Sequence, residues 1–373
     1  MFDRIHLASF MYSVSYRNPA HVTATPSTSE ALDRPRGGRR AWLPIAILAV
    51  LLVAVVVVAA LDVTVLAPHS TSSSGNSNSG SVTVVDDAGR SVTVKGTPHR
   101  IIVLGPSVMD ILFRLGLRSD VVGVDGGAPS AGGVYDDYSS GQVANWSLAN
   151  LTVVTWNPTL DVETVLALNP DLVLAGSGFS LSQLETLQST DGIPCLYLNP
   201  PTLAGIEYDV TIVGEVTRTN ATALALDEQM EASMVSDANE LVNITAAPSV
   251  FLTYYPDAEG YWSFGPGSFG NDLILDSGAT SITANDTLAN QEEVSGSYIL
   301  AANPAVILVG TGFGLTEQNY SQSPDWSSFG AVQAGHVFAI NAVYVTEPDP
   351  TMVFELSVFI SMLHPELSGG SPL

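Results

Sequence analysis

From residue 82 onward, apolar and polar positions fall into short strand-like and helix-like segments that follow one another along the chain. Val82–Val94 (VTVVDDAGRSVTV) alternates apolar and polar residues around an Asp87-Ala-Gly89 turn, the pattern of a β-hairpin. Arg100–Leu104 (RIIVL) and Val121–Val124 read as buried strands. Between them, Pro106-Ser107 opens a helix with Val108, Ile111, Leu112 and Leu115 at helical spacing, closed by Gly116. Leu181–Leu187 predicts a helix and Cys195–Leu198 a strand. Thr202–Val242 is helix-compatible almost throughout and has no Pro, so it predicts one long helix. After Pro248 come a strand at Val250–Tyr254, a Gly-rich aromatic loop at Tyr261–Phe269, and a helix at Asn271–Leu275. A strand at Val337–Ile340 and a closing helix at Thr351–Leu363 complete the pattern. Strands alternating with helices predict parallel α/β sheets in both halves.

One segment occurs twice. Leu160–Phe179 (LDVETVLALNPDLVLAGSGF) returns 134 residues later as Val294–Phe313 (VSGSYILAANPAVILVGTGF), with eight of twenty positions identical and no gap. Each copy reads as a short amphipathic helix, an Asn-Pro turn and a buried strand running into a Gly-containing loop. A unit repeated once, far apart, predicts two similar lobes rather than a solenoid. Such lobes create a cleft at the carboxyl ends of their strands, where open α/β sheets bind ligands. The long helix would then tie the lobes together as a spine.

The N-terminal region follows a different pattern. Ala41–Ala60 carries no charge, and the apolar run continues past Asp62 to Ala67. About 20 such residues span a bilayer core. Arg34, Arg36, Arg39 and Arg40 lie upstream, which orients residues 1–40 to the cytoplasm and the rest outside. The run exceeds a signal-peptide core, which favours an uncleaved anchor, although Val65-Leu-Ala67 offers a cleavage site. The expected organisation is a cytoplasmic tail (1–40), a transmembrane anchor (41–67), a flexible Ser/Gly/Asn tether (68–81), a first lobe (82–201), an inter-lobe helix (202–246) and a second lobe (247–373). This makes the chain a single-pass cell-membrane protein with an extracellular C-terminal domain. Six sequons, at Asn145, Asn150, Asn220, Asn243, Asn285 and Asn319, are candidate glycosylation points on such a domain.

Charge narrows the partners. Beyond residue 68 there are 33 Asp and Glu against six bases: Arg90, Lys95, Arg100, Arg114, Arg118 and Arg218. Nucleic acid is excluded as a partner, since its recognition needs clustered Lys and Arg. The one cysteine, Cys195, lies in an apolar run and reads as a buried, inert thiol. No nucleophile elbow or phosphate loop occurs, and the histidines of the outer domain (His69, His99, His336, His364) form no catalytic or metal-ligand spacing. The chain is therefore expected to be neither an enzyme nor a binder of bare metal. Aromatic residues are plentiful near the predicted strand ends. Tyr135, Tyr138 and Trp156 belong to the first lobe, and Tyr254, Tyr255, Tyr261, Trp262, Phe264, Phe269 and Trp326 to the second. Tyr135, Tyr138, Trp156, Tyr261, Trp262, Phe264, Phe269 and Trp326 are the candidate ligand-binding set, because rigid rings bury large area at small entropic cost.

The order Thr97-Pro-His-Arg-Ile-Ile-Val-Leu104, Pro106-Ser-Val-Met-Asp-Ile-Leu-Phe-Arg-Leu-Gly116, Val122-Gly-Val124 resembles the opening of class III substrate-binding proteins of ABC importers. These are the binders of iron-siderophores, haem and vitamin B12. Glu163–Val173, Gly192-Ile-Pro194, Phe264-Gly-Pro-Gly-Ser-Phe269, Asn303-Pro304 and the stretch from Trp326 to Val337 extend the resemblance over residues 82–367. It implies two Rossmann-like lobes with parallel sheets, joined by one long helix, with the ligand held between them and little hinge closure. It also implies a monomer without a cofactor of its own that delivers a small-molecule metal chelate to an ABC importer permease. In this family a glutamate on each lobe docks onto the permease. The first corresponds to Glu163. The second position holds Ser297, with Glu292 and Glu293 just upstream as substitutes. The family often has Glu where this chain has Asp110. Because siderophore trianions and haem propionates call for Arg or Lys, the scarcity of bases favours a corrinoid such as cobalamin or a neutral hydroxamate-iron complex. The alternative is a surface sensor or structural protein of the same fold that binds a ligand or glycan without feeding a permease.

Overall fold

The computed structural model describes residues 80–126, 151–156, 159–242, 244, 246–256, 260–284, 291–311, 315–370 and 373. The expected tail, anchor and most of the tether lie outside the described residues. Among those described, no helix is long and apolar enough to cross a membrane.

The first lobe begins with an antiparallel hairpin, β1 (Ser81–Val85) and β2 (Ser91–Lys95), turned at Asp87–Gly89 as its alternation requires. There follow β3 (Ile101–Leu104), α1 (Pro106–Arg114), β4 (Val121–Val124), β5 (Thr152–Val153), the small hairpin β6 (Thr155–Trp156) and β7 (Thr159–Leu160), α2 (Val162–Ala167), β8 (Leu172–Ala175), α3 (Leu181–Thr190) and β9 (Cys195–Tyr197). Five strands make a fully parallel sheet in the order β5-β4-β3-β8-β9. Cys195 is fully buried there, and burial pushes its thiol up to about 12, so it stays an inert thiol.

The predicted single inter-lobe helix is two helices, α4 (Leu203–Thr217) and α5 (Asn220–Leu241). Arg218 adopts a left-handed conformation (φ 65°) and turns the chain back. The Thr219 N–H then bonds the Gly214 carbonyl at 2.9 Å, a closure that ends a helix without proline or glycine at the turn. Gly214 lies against Ala223, where any larger residue would clash, and Thr211 Oγ1 donates to Asp227 at 2.8 Å. These contacts make the pair an antiparallel helical hairpin. The 22 residues of α5, about 33 Å of helix, supply the long inter-lobe element.

The second lobe comprises β10 (Ser249–Pro256), β11 (Tyr261–Phe264), α6 (Phe269–Asp276), β12 (Thr280–Ser281), β13 (Gln291–Val294), α7 (Gly296–Ala302), β14 (Val306–Thr311), α8 (Glu317–Ser321), α9 (Gly330–Ala334), β15 (Val337–Asn341), α10 (Ala342–Thr346) and α11 (Pro350–Leu363). Its sheet is mixed, which corrects the expectation of parallel sheets in both lobes. β12, β14 and β15 run parallel to their neighbours, whereas β11 and β13 are antiparallel. The segment expected as an aromatic loop is partly β11, because Tyr261–Phe264 pairs on both sides, with β10 and β13.

The repeated unit occupies the same place in both sheets. α2 leads into β8 between β3 and β9, and α7 leads into β14 between β10 and β15. Each helix starts with a side-chain cap: Asp161 accepts from the Thr164 N–H at 3.1 Å, and Ser295 from the Tyr298 N–H at 3.3 Å.

Strand alternation sorts the core into three parts. Ile102, Leu104, Val173 and Ala175 face α2 and α3 on the outer side of the first lobe. Phe251, Ile307, Val309 and Trp326 form the corresponding outer core of the second. The opposite faces, among them Ile101, Val103, Val250, Leu252, Val306 and Leu308, join one continuous core with α1, α4, α5, α6 and α11. The two lobes therefore share a core, and a wide hinge motion would have to open it.

Candidate functional site

The cleft face of the first lobe is set by close approach of two strand ends. Gly105, after β3, has φ 107°, and its N–H donates to Asp125 Oδ2 at 2.8 Å. The Gly176 N–H donates to the Leu104 carbonyl at 2.7 Å. A Cβ on Gly105 would stand 3.5 Å from Gly176 and 3.7 Å from the Phe179 ring, so these turns pack backbone against backbone with Phe179 beside them. Phe179 is half-buried and belongs to the end of the repeated unit.

At the carboxyl end of β10, Tyr255 lies opposite Trp262 on β11, and Trp262 opposite Glu293 on β13. Directly opposed residues share a face, so Tyr255 and Trp262 stand side by side. Both are half-buried and packed against the shared core. Neighbouring Tyr320 donates its hydroxyl to the Gly310 carbonyl at 2.6 Å, closing the end of β14.

The lobes meet at an acidic junction. Arg114 Nε donates to Asp110 Oδ2 at 2.7 Å within α1, and Arg114 Nη2 donates to Thr351 Oγ1 on α11 at 3.0 Å. Thr351 Oγ1 donates in turn to Asp110 Oδ2 at 3.2 Å, and the Arg114 guanidinium lies 5.2 Å from the Phe354 ring. Asp349 caps α11 by accepting from the Met352 N–H at 3.2 Å. Burial raises the Asp110 carboxyl and Arg114 opposes that rise. Burial, with Asp110 nearby, raises Asp349 well above the carboxylate range. Glu347 is pushed up to about 8 by burial, with Asp125 adding to the shift and the polar groups of Ser107 opposing it.

The sequence-predicted aromatic set divides. Trp262 reaches the strand-end face. Tyr261, Phe264, Phe269 and Trp326 are core residues, which corrects their assignment to the cleft wall. Tyr261, Trp326, Tyr320 and Phe329 stack with ring centroids 5.9–6.2 Å apart. Phe264 packs on Tyr254 at 4.6 Å. Strand period separates Tyr261 from Trp262: along β11 adjacent rings point to opposite faces, the Tyr261 side faces the outer core, and Phe264, on the Trp262 side, is buried in the shared core. Tyr135 and Tyr138 lie outside the described residues. So does the Trp156 side chain, whose backbone pairs with Thr159 in the small hairpin.

Glu163 is exposed in the first turn of α2, beside exposed Val162 and Leu166. Ser297 and Leu300 are exposed at the equivalent positions of α7. Glu293 is half-buried on β13 rather than on α7, and the Glu292 side chain lies outside the described residues. Of the sequons, Asn220 is exposed at the start of α5, and Asn319 Oδ1 accepts from the Thr316 N–H at 2.8 Å. Asn145, Asn150, Asn243 and Asn285 lie outside the described residues. Among the described residues no group of three His, Cys, Asp or Glu is arranged to hold a metal ion. Sequence reasoning passed over Phe179, counted Tyr255 only among the aromatics at large, and left Glu347 unremarked. For Phe179 the signal was its place at the end of the repeated Gly-x-Gly-Phe loop.

Comparison with known proteins accords with this geometry. The family model described as "Periplasmic binding protein" matches residues 101–344. A cobalamin-binding protein of Halobacterium salinarum is 26% identical over 336 residues, covering 88% of this chain and 85% of that one. An uncharacterized ABC transporter substrate-binding lipoprotein of Bacillus subtilis, YvrC, is 25% identical over 293 residues, 76% and 86% of the two chains. The fold is similar to that of the periplasmic vitamin B12 binding protein BtuF of Vibrio cholerae. The TM-score is 0.59 at 19% identity, over 73% of this chain and 99% of that one.

Proposed function

Because the chain belongs to the class III periplasmic binding protein family, we propose that it captures a metal-chelate ligand between its lobes and passes it to an ABC importer. The favoured ligand is a corrinoid such as cobalamin, with a neutral iron-siderophore complex next. The observation that carries this ranking is what four of the five arginines beyond residue 68 do. Arg90 pairs with Asp86 at 2.6 Å and donates to the Cys195 carbonyl. Arg100 caps the end of α2 through the Leu168 and Asn169 carbonyls, Arg114 holds the lobe junction, and Arg218 donates to the Gly80 carbonyl. An anionic chelate needs a cation that these contacts leave available only at a cost, whereas a neutral macrocycle needs apolar rings and hydrogen-bond partners. The cobalamin-binding relative, aligned over most of both chains, supports the same choice. The anchor at residues 41–67 would hold the binding domain at the outer face of the membrane. The exposed Ser297 favours a second reading, in which a protein of this fold binds its ligand at the surface without a permease.

The test is titration of the purified outer domain with cobalamin, a neutral hydroxamate-iron complex and haem at two salt concentrations. Tight cobalamin binding with little salt dependence is expected. Tight, salt-sensitive haem binding would overturn the ranking. Co-purification with an ABC permease separates the importer reading from the surface-sensor reading.

A further inference from the structure

The repeat gives the two sheets equivalent last strands, β9 and β15, but their outer edges differ. The edge of β9 is covered by the turn of the β1–β2 hairpin. The Asp87 N–H donates to the Tyr197 carbonyl at 3.1 Å, and Asp86 Oδ2 accepts from the Tyr197 N–H at 3.1 Å. Asp87 Oδ2 accepts from the Asn199 N–H at 2.6 Å, and Arg90 Nη2 donates to the Cys195 carbonyl at 3.1 Å. β15 pairs with β14 alone. The Ile307 N–H donates to the His336 carbonyl at 3.0 Å. By alternation along a parallel strand, Phe338 and Ile340 therefore turn their backbone groups to β14, and Val337, Ala339 and Asn341 turn theirs outward. Among the described residues, the outward backbone groups of Val337 and Ala339 meet no hydrogen-bond partner. Such an edge is a template for another strand. β15 (VFAIN) carries no charge or proline to prevent this, and its pairing with β14 has no bulge. Beside the edge lies a hollow of about 170 Å³, between Ala339 and Asn341 of β15 and Glu355, Val358 and Met362 of α11. The three α11 residues share one helix face through their spacing. Val358 is 41% exposed although apolar. Glu355 is half-buried and forms no ion pair among the described residues.

We propose that the outer edge of β15 receives an extended segment of a partner protein, with a Lys or Arg side chain of that segment entering the hollow against Glu355. The segment becomes a seventh strand of the six-stranded sheet. Main-chain bonds to Val337 and Ala339 hold it, and the hollow selects its side chain. Charge identifies the occupant. The hollow offers a carboxylate without a cation, on a chain of net charge −25, so a basic side chain is drawn to it. A second copy of this chain would bring an uncharged edge and another Glu355, and like charges oppose that pairing. The proposal does not depend on which ligand the cleft takes.

The experiment titrates the full-length chain with a blocked, dye-labelled peptide, Val-Thr-Val-Lys-Val-Thr-Val, read by fluorescence anisotropy, with amide hydrogen exchange of the β15 fragment. Saturable binding is expected, with slower exchange at Val337 and Ala339 in the complex. N-methylation of alternate residues of the probe should abolish binding, since it removes the main-chain donors that an added strand needs. Glu355→Gln, or norleucine in place of the probe's Lys, should weaken binding about fivefold, the loss of one half-exposed ion pair. The chain without peptide should sediment as a monomer. No saturable binding at millimolar probe, or binding that survives N-methylation, would overturn strand addition. Equal affinity for the Lys and norleucine probes would overturn the basic occupant, and this comparison needs no variant of the chain. A dimer of the chain alone with β15 protected would assign the edge to a second copy and overturn the proposal.

Discussion

Asn169 and Asn303 hold the same left-handed backbone conformation, with φ of 46° and 45°, although 134 residues separate them. Each ends the helix of a repeated unit and is followed by proline and a buried parallel strand. The sequence identity of the repeat thus corresponds to a shared chain reversal. Among residues with a Cβ, Asn tolerates this region best.

Replacing either asparagine by alanine should destabilise the domain by about 1 kcal/mol, while glycine should be nearly neutral. Urea unfolding of the four single variants checks this. An Asn303→Ala variant as stable as Asn303→Gly would remove backbone conformation as the reason for the residue.

Trp262 and Trp326 should behave differently, although the sequence puts both among the candidate ligand aromatics. Trp326→Ala removes a ring from the outer core of the second lobe and should cost about 3–5 kcal/mol of stability. Trp262→Ala should leave more stability intact and weaken ligand binding about thirtyfold, a cost near 2 kcal/mol at a central aromatic anchor. Calorimetric binding and thermal unfolding of the two variants separate these roles.

Glu163→Ala should reduce uptake at saturating ligand while leaving affinity unchanged, because the residue is exposed in the first turn of α2. Ser297→Ala, at the equivalent position of α7, should do neither. Lower affinity for the Glu163 variant in calorimetry, with transport intact, would contradict the docking role.

The N-terminal hairpin should also respond to pH. Asp209 on α4 is 1% exposed, and its carboxyl is raised well above the usual range by burial and by Asp87 and Asp86 on the hairpin turn. Its stabilising contribution is present in acid and is lost as pH rises, so Asp209→Asn should gain relative to wild type as pH increases. A wild type whose stability relative to Asp209→Asn is the same at pH 5 and pH 9 would show that the carboxyl titrates as in the unfolded chain.

Local pattern alone went far. The repeat, the alternation of strands with helices and the buried runs RIIVL and LVLA are signals that short-range physics imposes on any chain of this architecture. The helical break at Arg218 was not legible, because neither proline nor glycine marks it. The turn follows from Gly214 meeting Ala223 across the hairpin. Tyr261 and Trp262 are neighbours in sequence with similar chemistry. Only pairing with β10 and β13 decides which one enters the core.

What the sequence determined by itself was therefore the two-lobed α/β plan, the scarcity of bases and the family, since each is written in local order or composition. The tertiary structure decided which aromatics are core, that the second sheet is mixed, and that the lobes join through buried carboxyls. Arg114 and Thr351 are 237 positions apart, and no local pattern encodes a contact made only when two lobes close on one core.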